Sequence, residues 1–229
     1  MEAIILAGGF GTRLRQLVPE LPKPMAPVAG RPFLEILLSA LACKGFKRVI
    51  LSTGYMAEKI SSHFGEQYAG MELSYVVEEQ PLGTGGAVRL ALTQCYEEHV
   101  FIFNGDTYLD LEVDAIEKLW QIHKRPIIVG REVLDTARYG RLLTATGSVS
   151  GFTEKGVAGP GLINAGCYVF CRHQLDSFQP YLAFSLETDY LATEVTHKIF
   201  DVFVTEGLFI DIGVPQDFQL AQTMLAGVS

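Results

Sequence analysis

A glycine-rich loop near the N-terminus contains the residues best suited to phosphate chemistry. The apolar run E-A-I-I-L-A at 2–7 is followed by G-G-F-G-T-R-L at 8–14. Glycines at the end of a buried strand let the backbone approach a ligand closely, and successive N–H groups in such a loop suit phosphate oxygens. Arg13 and Lys23 add cations that bind phosphate well. The alternative is an ordinary glycine turn with solvated cations, because short motifs produce false positives.

Two better-known phosphate loops do not fit this stretch. The Walker pattern G-x-x-x-x-G-K-[ST] is absent, and the dinucleotide fingerprint G-x-G-x-x-G requires a glycine where Leu14 stands. If the loop binds phosphate, it does so as a loop of another type.

Two aspartates near strand ends are candidate metal ligands. Asp106 follows the run V-F-I-F-N at 100–104, and Asp211 ends the run L-F-I-D before Gly213. A carboxylate at the end of a buried strand is costly unless a cation meets it, and in a phosphate site that cation is usually Mg²⁺. The alternative for Asp106 is a turn-capping role. We interpret the nearby Asp110 as a surface or turn residue.

A second glycine-rich loop, E-E-Q-P-L-G-T-G-G-A at 78–87, leads into the helical stretch V-R-L-A-L. Its glycines permit the backbone to lie close to a flat ligand, and Gln80 could hydrogen-bond to the edge of a nucleobase. The alternative is an ordinary strand-to-helix turn with Thr84 as its N-cap.

Three polar clusters occur in the second half of the chain. They are Tyr139-Gly140, the pair Glu154-Lys155, and the triplet 164–166 inside an apolar strand. A neighbouring Glu and Lys normally form a solvated surface feature. Asn164 inside an apolar strand does need hydrogen-bond partners, whether from protein or ligand.

These candidates depend on a sheet to bring them together. Strand-like runs at 2–7, 48–53 and 73–77 alternate with helical patterns that begin at Pro32 and cover 56–64. This rhythm predicts a parallel sheet with right-handed crossovers. Ligands of such sheets bind outside the carboxyl ends of the strands, which is where the first glycine loop lies.

The pattern changes after a strand predicted over 127–131. The strand-like runs R-Y-G-R-L-L, S-G-F-T-E-K and L-I-N-A-G-C-Y-V-F follow with no long helix between them, which predicts an antiparallel or mixed section beside the cleft. We predict two helical stretches within 172–200, the clearer over Leu186–Phe200, then two short strands and a C-terminal helix.

The composition excludes several classes of protein. The chain has 229 residues, 48% of them hydrophobic, and a net charge of −8, so we expect a packed core and no broad nucleic-acid surface. No apolar run is long enough for a membrane span, and no leader peptide is recognisable. The few cysteines are typical of the reduced thiols of a cytoplasmic protein. We expect a monomer or a small homo-oligomer.

The string L-A-G-G-F-G-T-R-L, followed by P-K-P-M, resembles the signature of the sugar-phosphate nucleotidylyltransferases. These enzymes make an NDP-sugar and pyrophosphate from an NTP and a sugar 1-phosphate. Further motifs of the family occur here in its order: L-G-T-G-G-A, N-G-D, R-Y-G, F-T-E-K, N-A-G-C-Y-V-F and F-I-D-I-G-V-P. The resemblance implies a Rossmann-like three-layer α/β/α fold with a mostly parallel mixed sheet and a smaller antiparallel section on the sugar side.

The resemblance also implies a role for each motif within one domain over 1–229, with a nucleotide-binding half at 1–131 and a sugar-phosphate-binding half at 132–229. Catalytic roles fall on Arg13, Lys23 and Asp106, and Mg²⁺ would be held by Asp106 and Asp211. The sugar phosphate would contact Asp106, Tyr139, Gly140, Glu154, Lys155, Asn164 and Gly166. The nucleotide would contact Leu6, Ala7, Gly8, Gly9, Gly11, Thr12, Arg13, Lys23, Gln80, Pro81, Gly83, Thr84 and Gly105.

Within this family, the D-glycero-α-D-manno-heptose 1-phosphate guanylyltransferases are the most similar group, which implies GTP and a heptose phosphate as substrates. A mannose 1-phosphate guanylyltransferase and a hexose 1-phosphate uridylyl- or thymidylyltransferase remain alternatives. A non-catalytic nucleotide-sensing subunit is an alternative of another class. It would be expected to lack phosphate-binding cations or metal-binding carboxylates, which are present here.

Overall fold

A ten-stranded mixed sheet forms the centre of the molecule, which a computed structural model describes at residues 1–9, 11, 14 and 18–228. The strand order is β10-β11-β13-β9-β12-β7-β1-β4-β6-β5. The strands are β1 Glu2–Leu6, β2 Pro27–Val28, β3 Arg31–Pro32, β4 Arg48–Thr53, β5 Gln67–Tyr68, β6 Met71–Val77, β7 His99–Asn104, β8 Thr107–Leu109, β9 Ile127–Val133, β10 Leu142–Ala145, β11 Ser148–Phe152, β12 Gly161–Cys171, β13 Asp201–Thr205 and β14 Phe209–Asp211.

Strand β1 lies between two parallel partners. Ile4 pairs with Ile50 of β4 on one side and with Ile102 of β7 on the other. A strand buried on both faces reads as a continuous apolar run rather than as an alternating one. The predicted parallel order of the first half is therefore confirmed, and the carboxyl ends of β1, β4, β6 and β7 lie along one edge of the sheet.

Helices cover both faces of the sheet. Successive side chains of β1 enter opposite cores, Ile5 one and Ile4 the other, as the period-2 geometry of a strand requires. The predicted three-layer α/β/α arrangement is thus confirmed. The helices are α1 Phe33–Cys43, α2 Ala57–Phe64, α3 Gly83–Leu92, α4 Val113–His123, α5 Ala192–Glu194 and α6 Pro215–Met224.

The antiparallel section continues the same sheet. Strand β12 pairs antiparallel with both β7 and β9, and β10 and β11 form an antiparallel hairpin at the sheet edge. A separate two-stranded sheet joins β8 to β14. Among the described residues, no helix is both long and apolar enough to cross a membrane. Each described cysteine is a free thiol.

The helix predicted over Leu186–Phe200 is only partly formed. A π-helical turn spans Leu186–Leu191, α5 follows, and the chain then continues in turns. The hydroxyl of Thr196 donates to the carbonyl of Thr193 at 2.7 Å, and such local bonds compete with regular helical hydrogen bonding. The other helical stretch, predicted between 172 and 185, is wrong. That segment forms i→i+3 turns, and Pro180 has no N–H to continue a helix.

Candidate active site

The candidate site lies at the carboxyl edge of the parallel strands. The loops that follow β1, β6 and β7 meet there in one cavity. Both glycine-rich loops and the N-G-D motif contribute residues to its lining. A backbone hydrogen bond of 3.0 Å from Gly105 to Leu6 ties the ends of β7 and β1 together. The described lining residues are Leu6, Ala7, Gly8, Gly9, Lys23, Pro24, Glu78, Pro81, Gly83, Thr84, Ala87, Asn104, Gly105 and Asp106.

Close packing accounts for glycine at two of these positions. A Cβ on Gly105 would lie 2.5 Å from the carbonyl oxygen of Leu6, and one on Gly8 would lie 2.5 Å from a carboxylate oxygen of Glu78. A side chain at position 105 would therefore force the ends of β7 and β1 apart, whereas one at position 8 would displace the Glu78 carboxylate. Gly11 adopts a positive φ of 57° beside Lys23. The predicted residues Thr12 and Arg13 lie outside the described part of the chain.

Lys23, Asp106 and Asp211 converge at one side of this cavity. The ammonium of Lys23 lies 2.5 Å from Oδ2 of Asp106. Pairing of β14 with β8 places Asp211 opposite Thr107, and the amide of Ile212 donates to the carbonyl oxygen of Asp106 at 2.9 Å. Residues more than 100 positions apart in the sequence are thus brought together by a two-stranded sheet that the sequence patterns did not predict.

The charge balance of this cluster fits a divalent cation. Burial, and then the neighbouring Asp106 carboxylate, raises the pKa of Asp211 above its ordinary value. Two close carboxylates repel each other unless a cation lies between them, and Lys23 supplies one positive charge. Mg²⁺ in proteins commonly binds one or two carboxylates together with substrate phosphates. Among the described residues, no group of three or more His, Cys, Asp or Glu could hold a metal ion.

The second glycine loop forms the first turn of α3. A Cβ on Gly83 would lie 2.5 Å from the carbonyl oxygen of Phe184, and one on Gly85 would lie 2.2 Å from the Phe184 ring. A Cβ on Gly86 would meet the carbonyl oxygen of Leu182 at 2.5 Å. These glycines therefore allow the 182–184 segment to pack on the helix, a reason that differs from the approach of a flat ligand predicted from sequence.

Thr84 and Gln80 also differ from their sequence interpretations. The alternative reading of Thr84 as an N-cap is wrong, because Thr84 lies within α3 and donates its hydroxyl to Oε2 of Glu187 at 2.7 Å. Gln80 is exposed and is not among the residues that line the cavity. Glu78, at the start of this loop, does line the cavity, together with Pro81 and Thr84.

Glu78 is a half-buried carboxylate that no sequence motif singled out. Its Oε2 accepts from the amide of Leu82 at 2.9 Å, and its Oε1 accepts from the hydroxyl of Ser52 at 3.3 Å. Burial raises the pKa of the Glu78 carboxyl, although these two hydrogen bonds oppose the shift. It directly follows β6, so the rule that selected Asp106, a carboxylate at the end of a parallel strand, would also have selected Glu78.

A second cavity contains all the polar clusters predicted on the sugar side. Its described lining residues are Asn104, Tyr139, Gly140, Phe152, Thr153, Glu154, Lys155, Asn164, Gly166, Tyr168, Ser185, Glu187, Thr188 and Ala192. Asn104 also lines the first cavity, so the two cavities meet at the end of β7. Glu154 and Lys155 are exposed at the rim. Among the described residues, Oδ1 of Asn104 is buried without a hydrogen-bond donor.

Buried hydrogen bonds form one wall of this second cavity. The amide nitrogen of Asn164 donates to the hydroxyl of Tyr168 at 2.8 Å, and that hydroxyl donates to Oε1 of Glu187 at 3.2 Å. Burial raises the pKa of Tyr168 well above its ordinary value, so the hydroxyl keeps its proton. Gly166 has a positive φ of 71°, and a Cβ there would lie 2.5 Å from the amide nitrogen of Asn104. No sequence pattern indicated that Glu187 belongs to a site, because it lies in a stretch that was predicted to be a regular helix.

Comparison with known proteins identifies the family of this chain. A family model described as nucleotidyl transferase matches residues 2–226. A D-glycero-α-D-manno-heptose 1-phosphate guanylyltransferase of Aneurinibacillus thermoaerophilus is 41% identical over 229 residues, covering 98% of each chain. A mannose-1-phosphate guanylyltransferase of Mycobacterium tuberculosis is 35% identical over 225 residues, which cover 95% of this chain and 62% of that protein.

A solved crystal structure is similar to this chain over nearly its whole length. The crystal structure of HddC from Yersinia pseudotuberculosis complexed with GMP-PN superposes with a TM-score of 0.87 and 34% identity, covering 98% of this chain and 99% of that chain. The resemblance drawn from the sequence motifs is confirmed, and the chain belongs to the nucleotidyl transferase family.

Proposed function

We propose that this enzyme transfers the GMP group of GTP to D-glycero-α-D-manno-heptose 1-phosphate and releases pyrophosphate. The observation that carries the proposal is the meeting of two cavities at Asn104, beside the cluster of Lys23, Asp106 and Asp211. One cavity is built for phosphates and a base, and the other for a polyhydroxylated ligand. The most similar relatives described above are guanylyltransferases of a heptose or a mannose phosphate.

The reaction requires alignment and charge stabilisation rather than covalent catalysis. A phosphate oxygen of the sugar 1-phosphate attacks the α-phosphorus of GTP in line. The bond from that phosphorus to the bridging oxygen of the β-phosphate breaks, and pyrophosphate leaves with the electron pair. No proton needs to move in this step. The protein must therefore hold two anionic substrates in contact and neutralise the charge between them.

On the nucleotide side, we assign the triphosphate to the loop of Gly8, Gly9 and Gly11. Among the described residues that line this cavity, Lys23 is the one with a cationic side chain, and that side chain is 11% exposed. Lys23 would therefore neutralise charge at the α-phosphate. Arg13 would contact the leaving pyrophosphate, a role that rests on the family motif. The backbone around Leu6, Ala7 and Gly105 would border the nucleoside.

Asp106 and Asp211 would hold the divalent cation that nucleotidyl transferases generally use, and we propose Mg²⁺ for this chain. When bound, Mg²⁺ supplies positive charge to the phosphate oxygens of both substrates. In its absence, Lys23 balances Asp106. Asp211 ends β14, and Asp106 directly precedes β8, with which β14 pairs, so the small sheet holds the two residues near each other, which supports a shared ion.

We infer that Glu78 selects guanine. Guanine presents two adjacent donors, N1–H and the N2 amino group, on one edge, and a carboxylate can accept both. In the described structure, Glu78 accepts from uncharged groups only, at Leu82 and Ser52. Adenine, cytosine and uracil do not offer this pair of donors. This assignment gives Glu78 the base-reading role that the sequence analysis gave to Gln80.

The sugar phosphate would occupy the second cavity. Lys155 is a cation at its rim and would meet the phosphate, whereas Glu154 and Asn164 would accept or donate hydrogen bonds to hydroxyls. Tyr139, Gly140 and Gly166 would bound the ring. We propose that the nucleotide half, 1–131, and the sugar half, 132–229, act as one catalytic domain. The cytoplasmic location and the oligomeric state stay predictions from the sequence.

A matrix of substrates tests the proposal. The purified protein is mixed with each of the common NTPs and with heptose, mannose, glucose or N-acetylglucosamine 1-phosphate in the presence of Mg²⁺, and pyrophosphate is measured. The expected result is the highest kcat/KM for GTP with the heptose phosphate. Turnover restricted to UTP or to dTTP with a glucose phosphate would contradict it.

Mannose 1-phosphate is the second candidate acceptor, favoured by the 35% identity with the mycobacterial relative. The two sugars share the manno configuration and differ by one carbon, so the same matrix ranks them. A nucleotide-sensing subunit would bind GTP and turn over no acceptor. The presence of Lys23, Asp106 and Asp211 in one cluster argues against that alternative.

A further inference from the structure

A continuous chain of hydrogen bonds connects the two cavities through Glu187. This carboxylate accepts from the hydroxyl of Thr84 at 2.7 Å and from the hydroxyl of Ser185 at 3.1 Å, both at Oε2. Its other oxygen accepts from the hydroxyl of Tyr168 at 3.2 Å. Thr84 lines the nucleotide-side cavity, whereas Tyr168 and Glu187 line the sugar-side cavity. One carboxylate is therefore bonded to the walls of both.

The direction of each hydrogen bond in the chain is fixed. The hydroxyl of Thr84 accepts from the amide of Leu186 at 2.9 Å, so its single proton goes to Glu187. The hydroxyl of Tyr168 accepts from Asn164 at 2.8 Å, so its proton also goes to Glu187. A hydroxyl has one proton to donate. Thr84 and Tyr168 donate to different oxygens of residue 187, so both of these atoms must be acceptors. A carboxylate provides two acceptor oxygens, whereas an amide provides one.

The surrounding packing prevents these links from being replaced easily. Tyr168 is fully buried, so its hydroxyl has no access to water as a substitute partner. The amide of Gly85 donates to the carbonyl of Phe184 at 3.0 Å, which docks the segment before Glu187 onto the first turn of α3. A shift of Thr84 would be transmitted to Glu187 and then to Tyr168 and Asn164. Buried networks of this kind are costly to leave partly satisfied.

We propose that Glu187 is a positioning residue that couples the two substrate sites, so that nucleotide binding beside Thr84 strengthens sugar-phosphate binding beside Asn164. The proposal rests on the proposed function. Coupling of this kind is reciprocal, because the factor by which one ligand raises the affinity of the other is the same in both directions. A residue with a purely structural role would change stability or both affinities and leave that factor unchanged.

Calorimetry on the full chain measures this factor. The affinity of the heptose 1-phosphate is measured with and without a saturating non-hydrolysable GTP analogue, in the presence of Mg²⁺. We expect the analogue to raise the affinity about 5-fold or more in the native protein, the lower end of typical coupling. In Glu187→Gln the factor should fall towards one, because the amide group donates where a carboxylate oxygen accepted. The affinity for the analogue alone should change less than the coupling factor.

Two further variants make the test specific. Tyr168→Phe removes the middle hydroxyl and keeps the ring, so it should lower the coupling factor as Glu187→Gln does, and the double variant should lose no more than either single one. Asp189→Asn changes a carboxylate in the same turn that accepts from the amide of Ser185 and does not line the cavity. It should keep the native factor. Thermal melts establish that each variant is folded.

The outcomes separate this proposal from the proposed function. Normal pyrophosphate release by the native protein with an unchanged coupling factor in Glu187→Gln would overturn the role of Glu187 alone. A native coupling factor of one would overturn it as well. A native protein that releases no pyrophosphate from any pair of substrates would instead overturn the proposed function.

Discussion

The two cavities are built in different ways. The nucleotide-side cavity consists mainly of backbone and small residues at the ends of parallel strands, where Gly8 and Gly105 let the loops come close. The sugar-side cavity consists mainly of side chains from antiparallel strands and from the turn that contains Glu187. Backbone groups suit phosphate, which every nucleotide shares, whereas side chains can change with the sugar. We infer that substrate range is determined mainly in the second cavity and at Glu78.

The largest effect is expected at the junction of the two cavities. Asp106→Asn removes a charge from the cluster with Lys23 and Asp211, so turnover with Mg²⁺ should fall by at least about 100-fold, the scale of losing one electrostatic contact in a transition state. Pyrophosphate release checks this.

Asp110→Asn is the matched control for that substitution. Asp110 follows β8, is 54% exposed and pairs with Lys44 at the surface, as the sequence analysis predicted for a surface residue. Its replacement should leave turnover near the native value. Near-native activity in Asp106→Asn would show that the junction is not the reaction centre.

The second effect tests base selection in the nucleotide-side cavity. Glu78→Gln should lower kcat/KM for GTP about 10- to 100-fold, as expected for loss of a two-point contact with a base. The loss should be smaller for ITP, because inosine lacks the N2 amino group. The ratio of GTP to ITP turnover is the measurement. Glu79→Gln changes an exposed neighbour and serves as control. Equal losses for GTP and ITP would refute the assignment.

A third substitution addresses the sugar-side cavity alone. Lys155→Ala should raise KM for the sugar phosphate about 5-fold and leave the affinity for GTP nearly unchanged, because one exposed cation contributes about 1 kcal/mol to binding an anion. Initial rates with each substrate varied in turn measure both constants. Lys198→Ala removes an exposed cation that pairs with Glu194 and should change neither. If both constants rise equally in Lys155→Ala, Lys155 does not belong to the sugar site.

The smallest effect is on the pH profile. Glu78 must be ionised to accept from guanine, and burial raises its pKa. The kcat/KM for GTP should therefore fall, as the pH is lowered, at a higher pH than an ordinary glutamate would give. That acid limb should be absent in Glu78→Gln, whose remaining activity does not depend on ionisation at this position. A profile that is the same in both proteins would contradict the assignment.

The same comparison explains what the sequence could predict. Glycine loops and apolar strands are local patterns, so the parallel order, the loop of Gly8 and the position of Asp106 were predictable. The pairing of β8 with β14, which brings Asp211 to Asp106, depends on contacts across most of the chain and has no local signal. Only the family resemblance had linked these aspartates.

The errors have the same origin. The sequence predicted that Gly85 and Gly86 let a flat ligand approach the backbone. In the structure they pack instead against the 182–184 segment, nearly 100 residues further along the chain. Glu187 read as part of a regular helix, but the chain forms a π-helical turn whose carboxylate bonds to Thr84 and Tyr168. Tertiary contacts decided each of these positions.

Binding of Mn²⁺ in place of Mg²⁺ tests the central claim most directly, because bound and free Mn²⁺ are distinguished by electron paramagnetic resonance. In the presence of a non-hydrolysable GTP analogue, Asp106→Asn and Asp211→Asn should each weaken Mn²⁺ binding strongly, and the double variant should bind hardly less than either. Mn²⁺ binding that is lost in one single variant and native in the other would contradict a shared cation.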